Sequence, residues 1–309
     1  MTPAKKLQLS SRFVLRLPAT SANLGPAFDA AAIALDLYIS IEAKTAAAFS
    51  IAATGRDREI CQRIENHLIL TTYQEVAEAN RWEVIPLSLK IKNDIPIGKG
   101  CGSSAAARLA GIALANHFGR LHWSDAQIVS EAARREHHAD NAAACWMGGL
   151  AVASMSDVGK IQMAQVPIKG KWPLFLAVPG YPLSTEEARR VLPPQYSRAD
   201  AVTNVQNAML LLTALTQGRN DLLASALDDR IHQPYRAPLC PLLPCLWKLR
   251  GRPGVLGVVL SGAGPSVLVF LDPRVSIQPT RKMLTSHIAA AGVPAELLVT
   301  RITQRGGRG

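Results

Sequence analysis

The 309-residue chain is poor in aromatic side chains, at 5%, and modest in charge, at 18%. It has no run approaching the ~20 consecutive apolar residues that a membrane-spanning helix needs, so no membrane partner is expected. The opening MTPAKKLQLSSRF is basic but has no long apolar core behind it, which predicts no signal peptide. The cysteines, Cys61, Cys101, Cys145, Cys240 and Cys245, are odd in number, scattered and without a C-x-x-C. The C-x4-C at Cys240 has no second pair and no nearby histidines, which argues against zinc. A reducing, cytoplasmic setting suits such a set. Three signatures of phosphate and acyl chemistry are also missing: the Walker G-x-x-x-x-G-K-[ST], the dinucleotide G-x-G-x-x-G and the nucleophile elbow G-x-S-x-G.

What is present is 48% hydrophobic residues, enough for one or two domains with proper cores. The formal charge of +11 could mark a nucleic-acid binder. Yet the basic residues are spread out, several lie in the terminal tails (Lys5, Lys6, Arg12, Arg301, Arg305, Arg308), and few aromatic platforms exist for base stacking. A solvated surface, or a cleft for a small anion such as a nucleotide, is the expectation, with no nucleic-acid partner.

Period-two alternation predicts strands at 12–18, 35–43, 48–54 and 84–92, and short apolar runs predict more at 148–154, 173–178 and 295–303. Helices are expected over 66–80, 104–118, 125–135, 197–217, 221–231 and 278–291. Residues 18–30 read as a loop from their Pro, Gly, Asn and Ser content, 254–271 as strand, tight turn and strand, and 155–172 as the least structured boundary. Irregular alternation of strands and helices favours α+β.

The densest signal is IPIGKGCGSSAAARLAGIALAN (95–116), with Gly98, Gly100, Gly102, Cys101, Ser103 and Ser104 within seven positions. Glycines open backbone conformations barred to other residues and let the chain approach a ligand closely. A helix N-terminus adds unpartnered N–H groups and a partial positive charge. Together they make a phosphate cradle, in which Ser103 and Ser104 could cap the helix or reach a phosphate-bound Mg²⁺. A glycine-rich turn with ordinary serine capping is the alternative.

Three stretches in register resemble the GHMP small-molecule kinases: LPATSANLGPAFD (17–29), P-x-x-x-G-C-G-S-S-A-A (Pro96 to Ala106) and LSGAGPSVLVF (260–270). STEEARRVLP (184–193), HADN (138–141) and DDRIHQPYRAPLCP (228–241) are similar to the branch of that family that phosphorylates L-homoserine in threonine biosynthesis. The resemblance implies an α+β GHMP kinase fold. An N-terminal α/β domain with the ATP loop (1–160) would be followed by a ferredoxin-like C-terminal domain (161–309). It implies ATP and Mg²⁺ as cofactors and a homodimer. Pro96, Ile97, Gly98, Lys99, Gly100, Cys101, Gly102, Ser103 and Ser104, with Gly262 and Gly264, would hold the nucleotide. The adenine would lie near 55–73, with Asn66 and Thr72 as contributors. Ser104 and Glu136 would hold the metal, with Glu131 the alternative carboxylate.

Homoserine is a zwitterion with a terminal hydroxyl. Its carboxylate calls for a planar, two-pronged donor, which Arg189 and Arg236 could supply. Its ammonium calls for acceptors such as Asn23, Asp29 or Asp140, and Thr185 completes the substrate set that the resemblance implies. Asp140 is either the general base or the amine's grip, with Asn141 steadying the transition state; His138 is given an orienting role. Two positions depart from the family pattern. Ala27 replaces a glycine, which would cost about 1 kcal/mol if positive φ is needed there. Cys101 replaces a leucine and is expected to leave a thiol near the nucleotide. A different alcohol acceptor, or a relative that binds ligand or nucleic acid without catalysis, is the competing reading.

Overall fold

Burial alternating along the strands decides how this chain layers. The computed structural model describes residues 12–156 and 160–307; the basic tail residues Lys5, Lys6 and Arg308 lie outside the described residues. Between Phe13 and Val166 the chain builds β1 (Phe13–Asn23), β2 (Ala27–Thr45), β3 (Ser50–Gly55), α1 (Arg58–Gln62), α2 (Leu68–Ala79), β4 (Leu87–Asn93), α3 (Ser103–Phe118), α4 (Asp125–Glu136), α5 (Asp140–Met147), β5 (Leu150–Met155) and β6 (Ile161–Val166). Then come β7 (Pro173–Pro179), α6 (Thr185–Arg190), α7 (Arg198–Gln217), α8 (Asn220–Ala226), α9 (Gln233–Arg236), α10 (Leu242–Trp247), β8 (Val255–Leu260), β9 (Val267–Leu271), α11 (Ile277–Ala290) and β10 (Ala295–Arg301).

The first sheet runs β3-β4-β2-β5-β6, with β1 also on β2 and only the β3–β4 pair parallel. The second runs β10-β7-β9-β8 and is antiparallel throughout. Its chain order, strand, helices, two strands, helix, strand, is the ferredoxin-like arrangement expected of the C-terminal half. Both faces of this sheet are covered. Leu174, Leu176 and Val178 of β7 join one core, and Phe175 and Ala177 join the other. A strand buried on both faces reads as a continuous apolar run, which is why PLFLAV is legible without alternation.

Small residues set the packing of α3. Gly111 has Ile69 O and the Thr72 Cβ of α2 where a β-carbon would stand, at 2.5 and 2.7 Å. Thr72 is therefore a helix-packing residue and fully buried.

Four expectations are corrected. Residues 18–30 are not a loop: β1 continues to Asn23 and β2 begins at Ala27, because Ala19 to Ala22 pair with Leu35 to Ala32 across a bulge at Pro18/Ala19. The segment 155–172 contains β6, paired to β5. The helix expected over 221–231 ends at Ala226. Ala27 is absent from the positive-φ residues, whereas Asn23, Leu24, Gly25 and Asp29 are among them, so this alanine carries no backbone strain.

Candidate active site

Gly98, Gly100 and Gly102 all adopt positive φ, at 69°, 73° and 67°. Sterics forbid a side chain at two of them. A β-carbon on Gly100 would lie 2.2 Å from Ser261 O, and one on Gly102 would lie 1.8 Å from Thr20 Oγ1. Gly102 is the N-cap of α3, and no side chain caps the helix. Ser103, expected to cap, instead accepts from Gly98 N–H through its hydroxyl at 3.3 Å. The first N–H groups of α3 thus remain available to an anion.

The three glycine motifs brace one another. Thr20 N–H donates to Cys101 O at 3.0 Å and Gly262 N–H to Ala22 O at 3.2 Å. Ser261 Oγ donates to Gly100 O at 2.8 Å and lies 2.9 Å from Ser21 Oγ. Asn23 Nδ2 donates to Gly262 O at 2.9 Å. The Cys101 thiol points beneath the loop toward Ser266 Oγ, 3.8 Å away, and burial pushes its pKa up to about 12. The thiol expected near the nucleotide is therefore buried and protonated.

Against this loop lies a cavity of about 100 Å³. It gathers Asn23, Asp29, Gly98, Gly100, Cys101, Gly102, Ser103, Ser104, Glu136, Asp140, Asn141, Thr185, Arg189, Arg236, Gly262 and Gly264, together with His138. Three predicted residues stand outside it. Pro96 is buried, Ile97 faces a different cavity, and Lys99 turns its Nζ to Pro179 O at 2.7 Å, pinning the loop to the end of β7.

A second, largely apolar cavity of about 450 Å³ opens on the other side of the loop and shares Gly98, Ser103 and Ser104 with the first. Ile39, Ile60, Ile91, Ile95 and Ile97 wall it, along with Asn66 and His67. His67 Nδ1 has no hydrogen-bond partner there, while Nε2 is 3.2 Å from Cys61 O. A wider hollow of about 1250 Å³ between the start of β1 and the end of α3 contains none of the glycine motifs and is set aside as the site.

Charge is unevenly matched in the small cavity. Arg189 Nη1 and Nη2 grip Asp29 Oδ2 and Oδ1 at 2.9 and 2.6 Å. Burial opposes the charge on Arg189, but the hydrogen bond and charge of Asp29 outweigh it and raise the pKa. Arg236 is 1% exposed and has no carboxylate partner among the described residues. Burial, and then the charge of Arg189, lower its pKa to about 10. Asp140, also 1% exposed, receives every donor on one oxygen: His138 Nδ1 at 2.9 Å, Asn141 N–H at 2.6 Å and Asn141 Nδ2 at 3.3 Å, all to Oδ1. Burial opposes protonation of His138, but the hydrogen bond and charge of Asp140 prevail and raise its pKa. Asn141 Oδ1 accepts from Thr20 Oγ1 at 2.6 Å.

The two candidate carboxylates for a metal are separated by their surroundings. Glu136 Oε1 accepts from Ser104 Oγ at 2.7 Å and from Arg108 Nε at 2.6 Å, beside the glycine loop. Glu131 is held by Arg134 and Arg135 on α4, outside both cavities. Sequence reasoning did not single out Thr20, Arg108, Asp229 or His232. All four stood inside quoted stretches, Thr20 in LPATSANLGPAFD, Arg108 in IPIGKGCGSSAAARLAGIALAN and the other two in the D-x-x-H-x-P-Y-R segment, without being given a role.

Residues 67–149 match the family model described as the GHMP kinases N terminal domain, and 211–288 match the GHMP kinases C terminal model. The chain belongs to the GHMP kinases and is an ATP-dependent small-molecule kinase. A homoserine kinase of Solibacter usitatus is 44% identical over 263 residues, covering 85% of this chain and 86% of that protein. One of a Synechococcus species is 36% identical over 290 residues, covering 93% and 95%. Within the GHMP kinases this chain therefore falls in the homoserine kinase family. The crystal structure of homoserine kinase from Cytophaga hutchinsonii has the same fold, with a TM-score of 0.78 at 22% identity over 99% of this chain and 98% of that one. So does L. major mevalonate kinase in complex with R-mevalonate, with a TM-score of 0.72 at 15% identity over 96% and 98%. No helix among the described residues is long and apolar enough to cross a membrane.

Proposed function

We propose that the chain transfers the γ-phosphoryl group of ATP to the side-chain hydroxyl of L-homoserine, giving ADP and O-phospho-L-homoserine for threonine biosynthesis. The observation that carries this reading is the Asp29–Arg189 ion pair, set with Arg236 and Asp140 in one small cavity that abuts the glycine loop. A zwitterion can replace each partner of that pair: its ammonium goes to Asp29 and its carboxylate to the guanidinium groups. An acceptor without an amine, such as mevalonate, would leave Asp29 and Asp140 without a cation to receive.

Phosphoryl transfer demands positioning and charge stabilisation more than covalent help. The adenine enters the apolar cavity, where the free Nδ1 of His67 can accept from an exocyclic amine, and the phosphates pass over Gly98–Ser104 to the N-terminus of α3. The bare Oδ2 of Asp140 takes the amine, the hydroxyl proton passes to the phosphoryl group, and the amide of Asn141 donates to a phosphoryl oxygen. A kcat loss without a KM change in Asp140→Asn would instead make Asp140 the base.

Ser104 Oγ and Glu136 are hard oxygen ligands a hydrogen bond apart, which fits Mg²⁺. No cluster of three or more His, Cys, Asp or Glu among the described residues could hold a metal alone, so phosphate oxygens would complete the shell. Bound there, Mg²⁺ neutralises charge on the phosphates. The N-terminal half (1–160) would carry the loop and the C-terminal half (161–309) both arginines. By family resemblance the enzyme is proposed to be a homodimer, which sedimentation velocity tests.

A coupled ADP assay with Mg-ATP and L-homoserine, mevalonate or galactose tests the reaction. Turnover with L-homoserine alone is expected; turnover only on a non-amino alcohol would overturn the reading.

A further inference from the structure

Arg236 is too buried to be steered by solvent, and its guanidinium is fixed by three acceptors. Nε donates to Ala188 O at 2.9 Å, and Nη1 donates to His232 Nδ1 at 3.2 Å and, more weakly, to Gly262 O at 3.5 Å. Nη2 has no acceptor among the described residues and is the donor left for a ligand. Because a guanidinium can only donate, Nδ1 of His232 must be the accepting nitrogen and the ring proton must sit on Nε2. That proton is used: Nε2 donates to Gly25 O at 2.9 Å. Gly25 stands at the tip of the β1–β2 hairpin, between Asn23 and Asp29. Its Cα has no room for a β-carbon, which would lie 2.6 Å from Leu227 O.

The imidazole is itself held on every side. It is fully buried. Its backbone is set by Asp229, whose carboxylate accepts from the N–H groups of Ile231, His232 and Gln233 at 2.8, 3.0 and 2.6 Å. Its face stacks on Phe28, with centroids 5.3 Å apart at 27°. The same Phe28 ring has the guanidinium carbons of Arg236 and Arg189 at 5.2 and 5.4 Å. One neutral ring therefore ties the arginine of the second sheet's flank to the hairpin that carries Asn23 and Asp29.

We propose that His232 is a positioning residue for the amino-acid acceptor. By holding Arg236 Nη2 at a fixed separation from the Asn23–Asp29 hairpin, it sets the spacing between the carboxylate and ammonium subsites, and so selects an α-amino acid among small alcohols. The inference rests on the homoserine reading above, in which Arg236 receives the carboxylate.

The test compares His232→Phe, His232→Gln and His232→Asn in the full chain, with KM measured separately for L-homoserine and ATP. Phenylalanine keeps the stack and loses both hydrogen bonds; glutamine keeps an acceptor and a donor at the side-chain end; asparagine is too short to span Gly25 and Arg236. A lost hydrogen bond to a charged group corresponds to roughly a 10- to 100-fold change, so His232→Phe and His232→Asn should raise the L-homoserine KM by about that much. The ATP KM and kcat should stay within about threefold, and His232→Gln should recover most of the loss. In an Arg236→Met background, adding His232→Phe should cost no further factor, because the two residues act through one contact. Equal rises in both KM values, or losses that multiply in the double variant, would show a merely structural histidine and overturn the proposal. Should His232→Phe fail to fold, the contrast between glutamine and asparagine decides: equal KM values for the two defeat it. An Arg236→Met variant with an unchanged L-homoserine KM would instead defeat the carboxylate reading itself.

Discussion

Asp29 and Arg189, 160 residues apart in the chain, meet in a two-pronged ion pair at 2.9 and 2.6 Å, each about one-third exposed to the cavity. Each satisfies the other, so the acceptor must supply both charges to separate them. Asp29 sits at a φ of 54°, a left-handed conformation that asparagine tolerates better than most residues. Asp29→Asn should therefore fold normally, raise the L-homoserine KM roughly 10- to 100-fold through loss of a charged hydrogen bond, and leave the ATP KM nearly unchanged. Steady-state kinetics with each substrate varied in turn decides it; a matching rise in the ATP KM would place Asp29 elsewhere in the mechanism.

The two glutamates of α4 should separate cleanly in a Mg²⁺ titration. Glu136→Gln and Ser104→Ala should both raise the Mg²⁺ concentration needed for half-maximal activity, since their oxygens stand together at the loop. Glu131→Gln should leave that concentration alone and lower the melting temperature, because it loosens the pairs with Arg134 and Arg135. The reverse pattern would reassign the metal.

Gly102→Ala combines two faults: a positive φ, worth about 1 kcal/mol against alanine, and a β-carbon at 1.8 Å from Thr20 Oγ1. The hydroxyl that must move also holds Asn141. We expect ATP binding by calorimetry to be lost or weakened more than ~100-fold, well beyond the ~5-fold that the φ cost alone would give. A variant of near-normal affinity would mean that the loop has another conformation open to it.

Stability should fall on acidification through His232. Burial comes first among the causes that lower its pKa, to about 4 from an ordinary 6.5, with the Arg236 charge adding to it against the opposing pull of Asp229. Between those values the unfolded chain binds the proton and the folded one does not, so the stabilising difference is full above pH 6.5 and is lost as pH drops towards about 4. Urea midpoints measured from pH 7 to 4.5 should decline more steeply for the natural chain than for His232→Gln; parallel curves would remove His232 from the account.

Much of the site was legible because its chemistry is backbone chemistry. Gly98, Gly100 and Gly102, clustered before a helix, allow positive φ where other residues resist it, and Ser104 follows them in the first turn of the helix. The extent of β1 was not legible: PATSAN is made of loop-forming residues, and only its pairing with Leu35 to Ala32 makes it a strand. The family resemblance puts Lys99 at the nucleotide, yet Pro179 O, 80 residues on, claims its ammonium. Thr72 reads as a polar candidate, yet Gly111 draws its helix too close for a ligand. Ala27 looked strained by analogy, while the strain resides two residues later at Asp29. The role of His232 needed the Gly25 carbonyl, 207 residues away. For Lys99, Thr72 and His232 the deciding partner lies far along the chain, where spacing and propensity carry no information.

The hydrogen bond from Asn23 to Gly262 O joins the β1–β2 turn to one made far later in the chain, and that from Ser261 to Gly100 O ties the phosphate loop to the same late turn. During synthesis on the ribosome, the phosphate loop emerges long before the strand pair that props it. A nascent chain therefore lacks these props of its phosphate loop until Ser261 and Gly262 have left the exit tunnel.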